Sequence, residues 1–515
     1  MMDLGSAAGA APGRPAVIMA ESGEVTTYAE LNAESNRVAN LLFDLGLRRG
    51  DHIAFMLENR AELLAVAWAA QRSGLYYTPV GTRLTADEVA YIIGNCEARV
   101  FVTSAAFAEV AGVAVRSCPG LKLRLALDGE IEGFSGYREA VGRFPGTPLA
   151  EEWEGQSMIY SSGTTGRPKG VKRALSGKRL GDDPAQIGVL PLLSMLEDVV
   201  YLSPAPLYHA APMNMCVALL RLGATLVIME RFDAEKALEA IERHRVTHTQ
   251  MVPTMFIRLL RLPAEVRSRY DLGSLRLAIH AAAPCPVDTK RRMIEWWGPI
   301  LTEYYAGTEN IGMTLCDSEE WLGHPGTVGR AIAGTLHILD EDGQEQPAGV
   351  QGAVYFSGGA DFEYHGDPEK TAAARDPLGR GWATLGDIGY VDADGYLFLT
   401  DRRAHMIIRG GVNVYPQESE NILAMHPKVG DVAVIGVPDP DLGEVVKAVV
   451  QPVDQADAGP AFEHELLAYC RERLARYKCP DSVDFVSELP RQATGKLHKR
   501  LLRDRYAAPQ ASAGR

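Results

Sequence analysis

Eleven consecutive residues, Tyr160-Ser-Ser-Gly-Thr-Thr-Gly-Arg-Pro-Lys-Gly170, carry the densest chemistry in this chain. Ser161, Ser162, Thr164 and Thr165 bring hydroxyl donors, and Arg167 and Lys169 bring positive charge. Gly163, Gly166 and Gly170 let the main chain turn tightly and approach a ligand that a Cβ would hold away. Backbone N–H groups, hydroxyls and a lysine together suit a polyphosphate. The order is not that of a Walker loop, which closes on Gly-Lys-Ser/Thr. Here Pro168 precedes Lys169 and Gly170 follows it. A plain serine–glycine surface loop rarely combines all of these residues in one string.

The string resembles the phosphate-binding loop of the adenylate-forming superfamily: acyl-CoA synthetases, adenylation domains and beetle luciferases. The resemblance covers nearly the whole chain, from Thr26 to Lys499, and its stations fall in the family's order. It implies ATP attacked at its α-phosphate to give an acyl-adenylate, with Ser161, Ser162, Gly163, Thr164, Thr165, Gly166 and Lys169 around the phosphates. Tyr304-Tyr-Ala-Gly-Thr-Glu309 matches the next station, with Ala306 where the family usually has glycine. By that match Tyr304, Tyr305, Ala306 and Gly307 border the nucleotide, and Tyr305 offers its ring to adenine. Thr308 offers a hydroxyl to the α-phosphate, and Glu309 is a hard oxygen ligand for Mg²⁺. Ala281, Ala282 and Ala283 correspond to the small-residue strand end that lies against the base. Asp387 matches the carboxylate that accepts from both ribose hydroxyls, and Arg402 the arginine beside it. Leu489-Pro-Arg-Gln-Ala-Thr-Gly-Lys496 carries the adenylation lysine, so Lys496, Thr308 and Glu309 are the expected catalytic residues, with Lys496 stabilising charge in the transition state.

For the acid, Pro206-Leu-Tyr-His209 matches the station that faces the acyl group. Tyr208, His209 and Met213 are its candidates, although His209 and the apolar stretches 211–220 and 254–260 fit plain core packing equally well. No aspartate stands here to grip an α-ammonium; Ala205 and Leu207 occupy the region instead, which favours an apolar carboxylate, fatty or bulky and cyclic, over an amino acid. The segment 176–197 is long enough to cover a larger pocket. Ile408-Arg-Gly-Gly-Val-Asn-Val-Tyr-Pro416 resembles the loop lining the pantetheine tunnel, where Gly410 and Gly411 leave room for the thiol arm of coenzyme A. Ala404 stands at the hinge position, where many relatives carry lysine or aspartate; alanine still permits rotation, because a hinge needs only to absorb a φ/ψ change. The expected activity is an AMP-forming carboxylate–CoA ligase using ATP, Mg²⁺ and coenzyme A. Two alternatives stay open: transfer to a carrier-protein pantetheine, and a degenerate nucleotide-binding protein without turnover.

The elements that must position these residues alternate between strand and helix. Thr27 can cap a helix over 28–45; strands are expected at 52–57, 100–103, 225–229, 247–252 and 275–281, and helices at 61–72 and 234–244. Such alternation implies right-handed βαβ units and parallel sheets covered on both faces. Between 312 and 399 the texture turns to short β segments with turns such as Asp340-Glu-Asp-Gly343 and Asp392-Ala-Asp-Gly395. The expected fold is α/β: a large N-terminal domain, 1–400, of parallel doubly wound sheets plus a small β-barrel-like region, and a small mobile α+β C-terminal domain, 401–515. The hinge falls at about 401–405.

Composition agrees with an enzyme of this size. A chain of 515 residues can bury a substantial core. A net charge of −14 argues against a nucleic-acid partner. Cys96, Cys118, Cys216, Cys285, Cys316, Cys470 and Cys479 are scattered and odd in number, which reads as free thiols in a reducing compartment. Residues 1–15 lack the cationic and apolar regions of a signal peptide, and no window approaches the roughly 18 apolar residues of a membrane span. A cytoplasmic location is expected, and a homodimer stays open.

Overall fold

A computed structural model describes residues 2–161, 168–183, 198–402, 405–410, 412–491 and 497–507. The chain divides into two compact units, one of Met1–Ala281, Met293–Ile311 and Gly359–Ala373, the other of Ala282–Arg292, Gly312–Gly358 and Ala374–Arg515.

The first unit contains the parallel sheets expected from the strand–helix alternation. One has six strands in the order Ser135–Gly136, Leu123–Leu127, Val100–Ser104, His52–Met56, Tyr76–Pro79 and Gln156–Ser157, with neighbours parallel throughout. In the other, Leu301–Ala306, Leu277–His280, His248–Met251, Val200–Ser203, Thr225–Ile228 and Pro15–Met19 succeed one another in parallel, and Val25–Thr27 closes the edge antiparallel. His52–Met56, Val100–Ser104 and Thr225–Ile228 are buried at every position, as strands covered on both faces must be. The helix Ala61–Arg72 is buried at every residue from Leu63 onward, so its apolar character belongs to a core element. Thr27 caps the helix Tyr28–Asp44, and Glu30 reaches back to the Thr27 backbone, completing a capping box. Among the helices absent from the sequence expectations is Leu4–Ala10, capped by the Asp3 carboxylate, which accepts from Ser6 N at 2.8 Å.

A third, small antiparallel sheet matters most for the site. Its centre is Lys169–Lys172, flanked by Ile159–Ser161 and Glu363–Tyr364.

In the second unit, Thr335–Leu339, Gly352–Ser357, Ala383–Val391 and Leu397–Arg402 form an antiparallel meander in sequence order. The C-terminal stretch folds as a five-stranded mixed sheet around the long hairpin Val429–Asp439 and Gly443–Pro452, with Ser482–Phe485 parallel to the latter. Val446, Ala448 and Val450 share a buried core with Phe462 and Leu466 of the helix Pro460–Arg471. Among the described residues no helix is long and apolar enough to cross a membrane.

Candidate active site

The two ends of the glycine-rich string are held in register by strand pairing: Lys169 lies opposite Ser161, and Gly170 opposite Tyr160. Gly170 is required there, since a Cβ would stand 2.8 Å from the Tyr160 ring and 2.9 Å from the Met158 methyl. Ser162, Gly163, Thr164, Thr165 and Gly166 lie outside the described residues, as do Ala404, Gly411 and Lys496; Ser161 and Arg402 are described by their backbone alone.

On the other edge of Lys169–Lys172, Val171 pairs with Tyr364. Lys169, two positions earlier, lies on the same face as Val171 and extends over the Tyr364 ring, with Nζ 4.4 Å from its centroid. The Tyr364 hydroxyl donates to Glu309 Oε1 at 2.8 Å. Three segments distant in sequence thereby bring an ammonium, a phenol and a carboxylate together. Both Tyr364 and Glu309 are buried, at 6% and 8% exposure.

Glu309 is placed by the turn after the strand Leu301–Ala306. Asn310 N donates to Gly307 O at 3.0 Å with Asn310 at φ 56°, and Ala360 N donates to Asn310 O at 3.1 Å. Gly359 makes the close passage possible, because a Cβ there would sit 1.8 Å from Ile311 O. Glu309 Oε2 takes no hydrogen bond among the described residues. One fixed oxygen and a second left for a ligand are hard donors of the kind that would fit Mg²⁺.

Successive side chains of the strand Leu301–Ala306 point to opposite faces, so Tyr304 and Tyr305 cannot serve one surface. The Tyr304 hydroxyl accepts from Gln250 Nε2 at 2.7 Å, and burial pushes its pKa up to about 12. Tyr304 thus packs across the sheet, and Tyr305 takes the other face. Ala306, Gly307 and Thr308 follow, each half-buried. Ala281, Ala282 and Ala283 leave the end of the strand Leu277–His280, and Ala282 adopts φ 73°, a left-handed conformation unusual for a residue with a Cβ. In the second unit, Asp387 and Arg402 face one another across the pair Ala383–Val391 and Leu397–Arg402. Gly386, at φ 82°, turns the chain just before Asp387, which is buried.

Tyr208, His209 and Met213 gather at the start of the helix Ala210–Arg221. His209 is its N-cap residue, its ring 4.3 Å from that of Tyr208, and Met213 is fully buried one turn in. The approach to this helix is clamped by Asn59, which accepts from Leu207 N at 2.8 Å and donates to Ala205 O at 3.1 Å and Met229 O at 2.8 Å. Sequence reading missed Asn59 and Tyr364. The only signal for Asn59 was a polar residue between a buried strand and a buried helix. Gly410 occupies the hairpin turn between Ile407–Arg409 and Val412–Val414 at φ 56°, and its N–H donates to Leu442 O at 2.7 Å.

A separate group, His324, Asp392 and Asp394, has metal-ligating side chains near one another. Asp392 Oδ1 already accepts from Asp394 N and Tyr396 N, Oδ2 meets His324 Nδ1 at 2.9 Å, and the imidazole stacks on Tyr396 at 3.9 Å. These contacts explain the group as a braced turn.

The AMP-binding enzyme family matches residues 5–362, and the AMP-binding enzyme C-terminal domain matches residues 418–496. The chain is 33% identical over 494 residues to the long-chain-fatty-acid–CoA ligase FadD13 of Mycobacterium tuberculosis, covering 94% of this chain and 93% of that one. It is 35% identical over 496 residues to a feruloyl-CoA synthase of Amycolatopsis sp, covering 95% and 96%. The structure of ATP-bound MatB from Rhodopseudomonas palustris is similar over 96% of both chains, with a TM-score of 0.80 at 30% identity.

Proposed function

This chain belongs to the AMP-binding enzyme family, within its acyl-CoA ligase branch, and from that premise we propose that it activates an apolar carboxylic acid, fatty or bulky and cyclic, as its CoA thioester. The observation that carries the reading is the convergence of Lys169 and Glu309 on Tyr364, which joins the end of the glycine-rich string to the carboxylate expected to hold the metal. ATP, the acid and coenzyme A are the substrates.

In the first step the substrate carboxylate attacks the α-phosphorus of ATP, the bond to the β-phosphate oxygen breaks, and pyrophosphate leaves. The loop 161–166 and Lys169 hold the departing phosphates, and Thr308 hydrogen-bonds the α-phosphate. Asp387 accepts from the ribose hydroxyls, and Tyr305 stacks on adenine where the strand end at Ala281–Ala283 provides a flat wall. Glu309 is the residue that would hold Mg²⁺, which would supply positive charge against that of the phosphate oxygens. Lys496 spans the substrate carboxylate and the α-phosphate. In the second step the coenzyme A thiol, passing Gly410 and Gly411, attacks the acyl carbon, gives up its proton, and AMP leaves. The phosphoanhydride thereby turns a poor leaving group into a good one.

An apolar acid is favoured by the acyl station itself. The helix Ala210–Arg221 buries Met213, Met215, Val217, Leu219 and Leu220, and no carboxylate stands among residues 205–213 to pair with an ammonium. The relatives named for long-chain fatty acids and for a feruloyl group point the same way. None of the seven cysteines forms a disulfide, which agrees with a reducing compartment such as the cytoplasm.

A carboxylic-acid panel incubated with the protein, ATP, Mg²⁺ and coenzyme A tests the proposal. Apolar acids should yield AMP and pyrophosphate in equal amounts together with a CoA thioester. Stoichiometric ADP and inorganic phosphate would overturn it in favour of an acyl-phosphate route, and AMP without thioester would redirect it to another acceptor.

A further inference from the structure

We propose that Tyr364 is a positioning residue with two separable roles: its hydroxyl aims the Glu309 carboxylate at the metal, and its ring seats the Lys169 ammonium beside the phosphates. The inference rests on the ATP-binding reading above and extends it to a residue outside the motifs named in the sequence analysis.

Tyr364 is itself held on several sides. Its backbone N–H donates to Thr371 Oγ1 at 2.9 Å, its strand pairs with Lys169–Lys172, and its ring packs edge-on against Phe362 at 5.4 Å. A ring so constrained is a rigid platform. A glutamate carboxylate, by contrast, swings freely about its terminal torsion unless something holds it. The 2.8 Å hydrogen bond to Oε1 removes that freedom and leaves Oε2 as the atom to meet a cation. Hydrogen bonds to ligating carboxylates tune metal affinity in this manner, and losing one typically costs 10- to 100-fold. On the ring face, Lys169 Nζ at 4.4 Å is drawn to the π cloud, which restricts a side chain with four rotatable bonds to one sector. The phenol thus couples metal and phosphate binding through one side chain.

Phenylalanine and leucine at this position separate the two roles. Tyr364→Phe keeps the ring and deletes the hydroxyl; Tyr364→Leu deletes both. Binding of α,β-methylene-ATP, which cannot form an adenylate, is titrated calorimetrically with and without Mg²⁺, and Mn²⁺ binding to the enzyme–analogue complex is followed by electron paramagnetic resonance. Tyr364→Phe should bind the analogue normally without metal, bind Mn²⁺ roughly 10- to 100-fold more weakly, and recover turnover as Mg²⁺ is raised. Tyr364→Leu should in addition lose affinity for the metal-free analogue. Thermal melting of each variant near the wild-type temperature accompanies these expectations. Unchanged Mn²⁺ affinity in Tyr364→Phe would overturn the positioning role and leave Tyr364 as packing. Failure of the wild-type protein to bind the analogue at all would instead sink the ATP reading on which the inference stands.

Discussion

Lys496 and Gly411 divide the proposed reaction between two residues, and substitution at each should affect one half only. Lys496→Ala should slow acyl-adenylate formation by roughly 10²–10³, the usual cost of losing one preorganised charge contact. The same variant should still convert pre-formed acyl-adenylate to thioester at close to the wild-type rate. A bulky residue in place of Gly411 should do the reverse, sparing pyrophosphate exchange and blocking thioester formation. Equal loss of both half-reactions in both variants would refute the division. Neither change should unfold the chain, because anchors stand close by. The helix Lys499–Ala507 begins just after Lys496, and Lys499 Nζ pairs with the buried Glu420 carboxylate at 2.8 Å. Burial raises the pKa of Glu420, while Lys499 and the Val434 N–H favour its charged form. At this scale the sequence was informative wherever a residue sat inside a motif, as Lys169 and Glu309 do. It was silent on Tyr364, whose hydrogen-bond partner lies 55 positions away, since spacing patterns carry no information about pairing across folded segments.

Among the elements, the small sheet of Ile159–Ser161, Lys169–Lys172 and Glu363–Tyr364 sets the geometry of the site, and His52 lies beside it. His52 opens a buried strand, stacks on Tyr76 at 4.6 Å and lies near the ring of His365, 5.9 Å away, the residue after Tyr364. Burial, reinforced by the nearby Lys172 and His365 charges and opposed by Asp51, lowers its pKa from 6.5 to about 4. The unfolded chain therefore binds more protons than the folded one between these values. Stability present above about pH 6.5 is lost as pH falls towards 4, by at most about 3 kcal/mol from this group. His52→Phe, which keeps a ring against Tyr76, should flatten the melting-temperature profile over that interval relative to wild type. Parallel profiles for the two proteins would show that His52 titrates alike in both states. The long strands and helices were legible because their apolar runs and caps are local. The edge strand Glu363–Tyr364 was not, for two residues carry no periodicity and their strand character comes from the partner they meet.

Across the whole first unit, the buried pair Arg221–Glu154 ties together distant segments. Its ions are 2.8 Å apart with side chains 1% and 0% exposed, and Glu154 also accepts from Gln71 Nε2 at 2.8 Å and Gly181 N at 2.7 Å. Arg221→Met should cost about 3–5 kcal/mol, because it strands a buried carboxylate. Adding Glu154→Gln, which removes the charge and keeps one oxygen to accept from either Gln71 or Gly181, should recover part of that loss. Denaturant midpoints would measure both, and additive losses would mean the two groups act independently. The sequence by itself determined the adenylate-forming family and the parallel α/β architecture, because each is written in residue order, local periodicity or composition. Only the tertiary structure decided that Tyr304 reaches Gln250 while Tyr305 takes the other face, that Asn59 clamps the approach to the helix Ala210–Arg221, and that Tyr364 joins Lys169 to Glu309. Those outcomes depend on strand register and on which faces meet, and side chains far apart in the chain acquire their partners only once the sheets have formed.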